Sequence, residues 1–245
     1  MSILSKLNDC VLKKGAGFII LIDPDKKNDK KINKLVESAN DNGADAIFVG
    51  GSIMMDSLYH KRIERIKSIS NIPVILFPGG VNQINKHFDA MLFMSLLSGR
   101  NPHYLIGEQV IAAPIVSDYR IETIPTGYLL IDGGSPTTVE FISGTKPLPQ
   151  NRLDIIISHA LAAQFMGMKL LYLEAGSGAL NKVHGNVINK VSTEVNISII
   201  VGGGISKPEE VSEAVSAGAS FVVIGSAIEN SIELMKEFSS AIHSD

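Results

Sequence analysis

Short apolar runs alternate with amphipathic stretches along most of the chain. Eight runs are five or six residues long and nearly continuous in apolar character, at residues 17–22, 44–49, 73–77, 90–94, 126–131, 169–173, 197–201 and 220–224. A continuous apolar run of this length is typical of a strand that is buried on both faces, as in a parallel sheet. Six intervening stretches have helical periodicity, at residues 31–42, 54–69, 104–116, 153–167, 208–217 and 228–242.

The order of these elements predicts the fold class. Strands that alternate with helices form α/β structures, and eight strand–helix repeats are the number that closes a TIM barrel. The chain has 245 residues, close to the about 250 residues that one such barrel needs. Because no linker-like segment divides the chain, we expect a single (β/α)8 TIM-barrel domain over residues 1–245.

Two segments depart from the regular repeat. The link after the third strand, residues 77–89, is short for a helix with its loops. Since Pro78 and two glycines oppose helix formation at its start, we expect the third barrel helix to be missing or degenerate. A longer insert is expected on both sides of the fifth strand, at residues 117–125 and 135–150, and it contains Pro125, Pro136, Pro147 and Pro149.

Composition narrows the class of protein. The net charge is −3 and there is no long basic patch, which argues against a nucleic-acid partner. A single cysteine, Cys10, excludes an intramolecular disulfide and fits a reducing compartment. No uncharged apolar run reaches the about 18 residues of a membrane span, and the amphipathic N-terminus lacks the apolar core of a signal peptide. We therefore expect a soluble, cytoplasmic protein. Such a protein can still bind a lipid substrate in a groove.

Residues with useful chemistry follow the predicted strands. In a TIM barrel the active site forms at the carboxyl ends of the strands. These ends carry acidic, hydroxyl or glycine residues at positions 23–25, 50–52, 78–80, 95, 132–134, 174–178, 202–204 and 225–226. The recurrence of such residues at one end of the barrel indicates an active site more strongly than any one motif does.

The last two strand ends predict a phosphate site. Loops after the seventh and eighth strands of a barrel supply backbone N–H groups, and a helix N-terminus adds partial positive charge. Glycines at positions 202–204 and the pair Gly225 and Ser226 suit this role. Ser177, with the amides of Gly176 and Gly178, could complete the site from the sixth strand. The alternative is that these glycines only make tight turns.

Two acidic residues are candidates for catalysis and metal binding. Glu174 ends a buried strand, where a charge is costly without a use; the alternative is a paired structural carboxylate. Asp23 and Ser52 offer the hard oxygen ligands that suit Mg²⁺, although Asp23 could instead bond backbone amides. Tyr172 alternates with leucines, so its ring is expected inside the barrel, either on a substrate or as a core residue.

Seven motifs together resemble the geranylgeranylglyceryl phosphate synthase family. They are Leu-Ile-Asp-Pro-Asp-Lys at 21–26, Val-Gly-Gly-Ser at 49–52, Phe-Pro-Gly at 77–79, Asn-Pro-His at 101–103, Tyr-Leu-Glu-Ala-Gly-Ser-Gly-Ala at 172–179, Val-Gly-Gly-Gly-Ile at 201–205 and Ile-Gly-Ser-Ala-Ile-Glu at 224–229. The resemblance spans residues 16–240. With the insert at residues 132–140, the chain is similar to the second group of the family, which includes archaeal enzymes and bacterial relatives.

The resemblance implies a prenyltransferase on a modified barrel whose third helix is replaced by an extended segment. The family reaction joins the 3-hydroxyl of sn-glycerol 1-phosphate to a polyprenyl diphosphate, here expected to be geranylgeranyl diphosphate, and releases diphosphate. Matched motif by motif, Asp23 and Ser52 would hold Mg²⁺ and Glu174 would be the base. The residues around glycerol phosphate would be Tyr172, Leu173, Glu174, Ala175, Gly176, Ser177, Gly178, Gly203, Gly204, Gly225 and Ser226.

Further expectations follow from the same resemblance. The isoprenoid tail requires an apolar slot, for which Phe77, Phe93 and Leu96 are candidates. The apolar helix that begins near Tyr104 suits an oligomer contact, so a homo-oligomer is expected. Lys26 and Lys27 are interpreted as a solvated turn, with one of them a candidate to meet the diphosphate.

The chain departs from a motif of related sequences at one position, and two alternative functions remain open. A related bacterial group carries a lysine two residues before the first aspartate, where this chain has Leu21. The first alternative is another phosphate-binding barrel, such as an isomerase or lyase of amino-acid or thiamine biosynthesis, which usually shows a different catalytic set. The second is a non-catalytic barrel that binds a phosphorylated metabolite; the presence of Glu174, Asp23 and Ser52 argues against it.

Overall fold

The computed structural model describes residues 1–242 and shows a closed barrel of eight parallel strands. Each strand pairs with the next one along the chain, and the last pairs with the first. The predicted fold class is confirmed, while residues 243–245 of the predicted domain lie outside the described part. The strands are β1 (Gly17–Ile22), β2 (Ala46–Val49), β3 (Val74–Leu76), β4 (Ala90–Leu96), β5 (Glu122–Leu130), β6 (Leu170–Glu174), β7 (Ser198–Gly202) and β8 (Phe221–Ile224).

Helices connect the strands and cover the outside of the barrel. Their inward residues and the outward residues of the strands form one buried apolar layer, and the barrel interior forms a second. No helix within residues 1–242 is long and apolar enough to cross a membrane. The helices are α1 (Ile3–Lys14), α2 (Ile32–Asp41), α3 (Tyr59–Ile69), α4 (Glu108–Tyr119), α5 (Thr138–Ser143), α6 (Leu153–Phe165), α7 (Gly185–Glu194), α8 (Pro208–Ser216), α9 (Ser226–Asn230) and α10 (Met235–Ile242).

The third barrel helix is missing, as predicted. Between β3 and β4 the chain makes only a short 3-10 turn, Val81–Gln83. Gln83 is buried and ties this link down, because its side chain donates to the Gly51 carbonyl at 2.6 Å and accepts from the Gly79 amide at 2.9 Å. The link therefore lies against the loop after β2.

The prediction of an insert before the fifth strand was wrong. Residues 117–125 are not a loop, since α4 continues to Tyr119 and β5 already begins at Glu122. Pro125 lies inside β5, opposite Phe93 of β4. A proline costs the strand one ladder hydrogen bond, but its carbonyl still accepts from the Lys169 amide at 2.8 Å. The second part of the insert exists and contains α5.

Helix α1 packs against one end of the barrel interior. Ile3 and Leu7 are buried among the inward side chains of the strands. The amides of Ile3 and Leu4 donate to the Glu122 carboxylate, at 2.6 and 2.9 Å. A carboxylate at a helix N-terminus satisfies free amides and complements the helix dipole. Because Glu122 is the first residue of β5, α1 closes the end of the barrel opposite the strand carboxyl ends.

We predict that this closing helix contributes to global stability. Leu7→Ala should lower the free energy of unfolding by about 3 kcal/mol, because it leaves a cavity in a packed interior. Leu12→Ala, on the exposed side of the same helix, should change it by less than about 0.5 kcal/mol. Urea unfolding of both variants measures the difference, and equal losses would show that α1 is not part of the core.

Candidate active site

A cavity of about 680 Å³ opens at the carboxyl ends of the strands. The loops after β1, β2, β3, β6, β7 and β8 all contribute to its wall. Most of the predicted site residues line it together: Asp23, Ser52, Tyr172, Glu174, Gly176, Ser177, Gly178, Gly203, Gly204, Gly225 and Ser226. Two predicted residues do not: the side chains of Leu173 and Ala175 pack in the buried layer that the strands share with the helices.

Glu174 is a buried carboxylate at the end of β6. Only 7% of the residue is exposed, and its Oε1 accepts a hydrogen bond from the Gly176 amide at 2.7 Å. Burial raises the pKa of Glu174 to about 7, against the opposing effects of the Gly176 amide and the Tyr172 hydroxyl. A carboxylate with a pKa near neutrality is suited to accept a proton and release it again.

Tyr172 points into the barrel, as its alternation predicted. Its ring stacks on Phe77 with centroids 5.1 Å apart and planes 4° apart, and Tyr128 lies 5.6 Å away. The Tyr172 hydroxyl is close enough to Glu174 to lower that residue's pKa, yet it makes no hydrogen bond of normal geometry to any described residue. Because an unpartnered buried hydroxyl is costly and Tyr172 lines the cavity, this hydroxyl is placed to bond a ligand.

The loops after β6, β7 and β8 converge on one corner of the cavity. The hydroxyls of Ser177 and Ser226 are 3.2 Å apart, which joins the first and last of these loops. Gly203 lies between them with a φ of 81°, and a Cβ there would stand 2.5 Å from the Gly176 amide nitrogen. Only glycine allows this approach. We call this corner, residues 176–178, 203–204 and 225–226, the phosphate cradle; the groups described in it are amides and hydroxyls.

Asp23 and Ser52 lie together on the other side of the cavity. The Asp23 carboxylate lies over Gly51, whose Cβ, if present, would be 2.9 Å from Asp23 Oδ1. Its Oδ2 is 3.6 Å from the Lys27 ammonium. Burial raises the pKa of Asp23 to about 6; the Lys27 charge lowers it and Glu229 raises it further. Asp23 and Ser52 therefore both line this side of the cavity.

Asp23 and Ser52 form a small set of oxygen donors for the expected metal. Within residues 1–242 no group of three or more His, Cys, Asp or Glu residues could hold a metal ion by itself. Magnesium commonly takes one or two protein groups and completes its shell with substrate phosphate and water. One carboxylate and one hydroxyl therefore fit an ion that is shared with a phosphorylated substrate, and they do not fit an all-protein metal site.

A buried arginine that the sequence did not predict anchors both of these loops. Arg62, on α3, is only 4% exposed. It donates to the Pro24 carbonyl at 3.2 Å and to Asp29 at 2.8 Å in the loop after β1, and to Asp56 at 2.7 Å in the loop after β2. A lone arginine in an amphipathic helix is normally solvated, so its sequence carries no signal of this role.

Glu229 makes a second link to the Asp23 loop. Its carboxylate accepts from the Asp23 amide at 3.1 Å and from the Asn28 side chain at 2.8 Å. Asn28 is buried and also donates to the Asp23 carbonyl at 2.9 Å. Glu229 ends the last of the seven motifs, which was the only sequence signal for it. Helix α9, which begins at the phosphate cradle, is therefore joined to the Asp23 side of the cavity.

One part of the cavity wall is largely apolar. Phe77, Phe93 and Leu96, the predicted slot residues, line it with methionines from β4 and Ala112 of α4. The insert after β5 also contributes, since Thr137 and Val139 are part of the wall. The sequence predicted the existence of this insert but not its position over the cavity, because that position depends on tertiary packing. Ser95, although at a predicted strand end, is buried and donates to the Leu105 carbonyl at 2.7 Å.

Fold and site together define a class. A parallel barrel with an amide-and-hydroxyl cradle in its last loops, beside a buried carboxylate of raised pKa, is the arrangement of an enzyme that binds a phosphorylated substrate. The model of the PcrB family matches residues 9–242. The chain belongs to the PcrB family, the family of geranylgeranylglyceryl phosphate synthase.

Individual relatives agree with this assignment. The chain is 42% identical to geranylgeranylglyceryl phosphate synthase of Chitinophaga pinensis over 92% of its length and 90% of the relative's. It is 39% identical to the enzyme of the same name from Methanosphaera stadtmanae, over 99% of this chain and 100% of that one. A solved structure of (S)-3-O-geranylgeranylglyceryl phosphate synthase from Thermoplasma acidophilum, in complex with its substrate sn-glycerol-1-phosphate, superposes with a TM-score of 0.94 at 36% identity, over 100% of both chains.

We predict that Glu174 makes stability depend on pH. Its pKa is raised from the usual 4.5 to about 7, so the folded state keeps a proton that the unfolded state loses in this window. The free energy of unfolding of the wild type should therefore fall as the pH rises from 5 to 8. Glu174→Gln lacks this titration, so its free energy of unfolding should rise relative to that of the wild type by up to about 3 kcal/mol over the same range.

Urea unfolding at both pH values measures this gain. Glu64→Gln, on the exposed face of α3, is the control and should follow the wild type. If Glu174→Gln also follows the wild type at every pH, the Glu174 carboxyl titrates normally in the folded protein.

Proposed function

We propose that the protein is a prenyltransferase that joins the 3-hydroxyl of sn-glycerol 1-phosphate to geranylgeranyl diphosphate. The reaction forms an ether bond at C1 of the prenyl chain and releases diphosphate. The observation that supports it most is the position of Glu174, a buried carboxylate of raised pKa between the phosphate cradle and the Asp23 side of one cavity. The names of the relatives, and the glycerol phosphate bound to the Thermoplasma acidophilum protein, support the same reaction.

The phosphate cradle would hold the phosphate of the acceptor. Amides near Gly203 and the hydroxyls of Ser177 and Ser226 donate to its oxygens, which fixes the three-carbon chain next to Glu174. In its carboxylate form Glu174 accepts the proton of the attacking hydroxyl. The buried Tyr172 hydroxyl makes no hydrogen bond of normal geometry within the protein, so it is available to bond the acceptor and orient it.

Asp23 and Ser52 would hold Mg²⁺ on the donor side of the cavity. When bound there, the ion would supply electrostatic stabilisation to the leaving diphosphate. The protein holds the Asp23 and Ser52 loops in position relative to each other, because Arg62 donates to Pro24 in one loop and to Asp56 in the other. The apolar wall around Phe77, Phe93 and Leu96 receives the prenyl chain and excludes water from the reacting carbon.

Turnover tests this proposal directly. Purified protein with labelled sn-glycerol 1-phosphate, prenyl diphosphates of increasing length and Mg²⁺ should give a labelled ether product, and EDTA should abolish it. Glu174→Gln should lower kcat/KM by about 10²–10⁴-fold through loss of the base, whereas Glu64→Gln should not. For the wild type, kcat/KM should rise with pH through about 7.

Two outcomes would favour the alternatives. Binding of glycerol phosphate without product from any prenyl donor would indicate a non-catalytic metabolite-binding barrel. Turnover of a different phosphorylated substrate, with Glu174 dispensable, would indicate an isomerase or lyase of the same fold.

The protein is also proposed to form a homo-oligomer. Apolar side chains are exposed on one connected segment around α4, at Ile106, Val110 and Ile111, and Phe141 of α5 is 86% exposed. Apolar surface of this extent usually marks a contact with another protein chain. The apolar helix near Tyr104 was expected to serve as such a contact.

Light scattering measures the assembly. The wild type should have a mass that is a multiple of 26.3 kDa, and Ile111→Glu should lower it, because a charge is costly in an apolar contact. Leu12→Glu places the same charge on an exposed part of α1 and should leave the mass unchanged. A monomeric wild type would contradict the proposal.

A further inference from the structure

The cavity contains very little positive charge for its proposed substrates, which both carry phosphoryl groups. Its wall includes five carboxylates, Asp23, Asp25, Glu108, Glu174 and Glu229. Among the lysines and arginines of residues 1–242, only Lys27 lines it. If the proposed function holds, an anionic diphosphate enters a net acidic cavity, and Lys27 is the side-chain cation in its wall.

The backbone that carries Lys27 is held by hydrogen bonds, while its side chain is largely exposed. Lys27 is the middle residue of a 3-10 turn, Lys26–Asn28, whose N-terminus is capped by Asp25. The turn ends at the buried Asn28, which bonds the Asp23 carbonyl and Glu229. The Lys27 side chain is 60% exposed. A fixed backbone with an exposed ammonium suits a group that contacts a ligand in the cavity.

In the structure described, the Lys27 ammonium faces the Asp23 carboxylate at 3.6 Å. An exposed ion pair of this length is worth little, typically below about 1 kcal/mol. It is therefore easily exchanged for a stronger partner. If Asp23 binds a divalent ion, its charge is no longer available to Lys27, and phosphoryl oxygens are strong charge-assisted acceptors for an ammonium.

We propose that Lys27 is a binding residue for the diphosphate of the prenyl donor. Its ammonium exchanges the Asp23 carboxylate for a diphosphate oxygen when the donor binds. There it neutralises part of the charge that builds up on the leaving group. Lys26, the preceding residue, is exposed and does not line the cavity, so it provides a matched control with the same charge.

Inorganic pyrophosphate is the probe, because its binding requires no turnover. Calorimetry in the presence of Mg²⁺ should show a dissociation constant that is about 10–100-fold weaker for Lys27→Gln than for the wild type, as expected for loss of one charged hydrogen bond. Lys26→Gln should bind as the wild type does, and Lys27→Arg should retain most of the affinity. The dissociation constant for glycerol phosphate should change less than about twofold in all variants, since the cradle has no contact with Lys27.

The possible results separate this proposal from the proposed function. A wild type that makes no prenyl ether, but whose pyrophosphate binding depends on Lys27, supports the site and contradicts the reaction. A Lys27→Gln variant that binds pyrophosphate normally overturns the site whether or not product forms. Equal weakening of pyrophosphate and glycerol phosphate, or equal effects of Lys26→Gln and Lys27→Gln, would also overturn it, since either would indicate a general charge effect. Thermal unfolding of each variant confirms that the protein remains folded.

Discussion

The burial of one carboxylate, Glu174, constrains the three loops around it. A charge removed from water must be compensated by close polar groups, and here the Gly176 amide supplies a hydrogen bond of 2.7 Å. The neighbouring strand must leave room for this arrangement. A Cβ at Gly202 would stand 2.5 Å from the Tyr172 hydroxyl and 2.8 Å from the Glu174 carboxylate. Gly202, the last residue of β7, is therefore required by the carboxylate at the end of β6.

Much of the fold could be predicted because parallel strands buried on both faces have a simple sequence signal. The run at residues 17–22 matches β1 residue for residue, and Pro78 with its glycines correctly excluded a helix. Where propensity and packing disagree, the prediction failed. Pro125 suggested a loop, yet it lies in β5 because pairing on both sides outweighs one missing hydrogen bond. Helix α7 was missed, since its Gly185 and Asn186 favour other conformations.

The site residues also divide into those that the local sequence predicts and those that depend on tertiary packing. Residues at strand ends, such as Asp23, Glu174 and Ser226, could be found because the barrel places all strand ends on one rim. Arg62 and Thr137 could not, since their roles depend on which loop packs over which. The surroundings of the Tyr172 hydroxyl also needed coordinates: alternation predicts that the ring points inward, but not that its hydroxyl lies near Glu174 without a hydrogen bond of normal geometry.

The distribution of charge in the cavity has a chemical consequence. A cation beside a carboxylate lowers its pKa and weakens it as a base. The phosphate cradle consists of amides and hydroxyls, so it places no charged side chain next to Glu174, whose pKa is near 7. Positive charge is instead available beside Asp23, from Lys27. A base of useful strength and a stabilised leaving group make opposite demands on the field of the site, and this cavity can meet both because the lysine in its wall lies beside Asp23 and not beside Glu174.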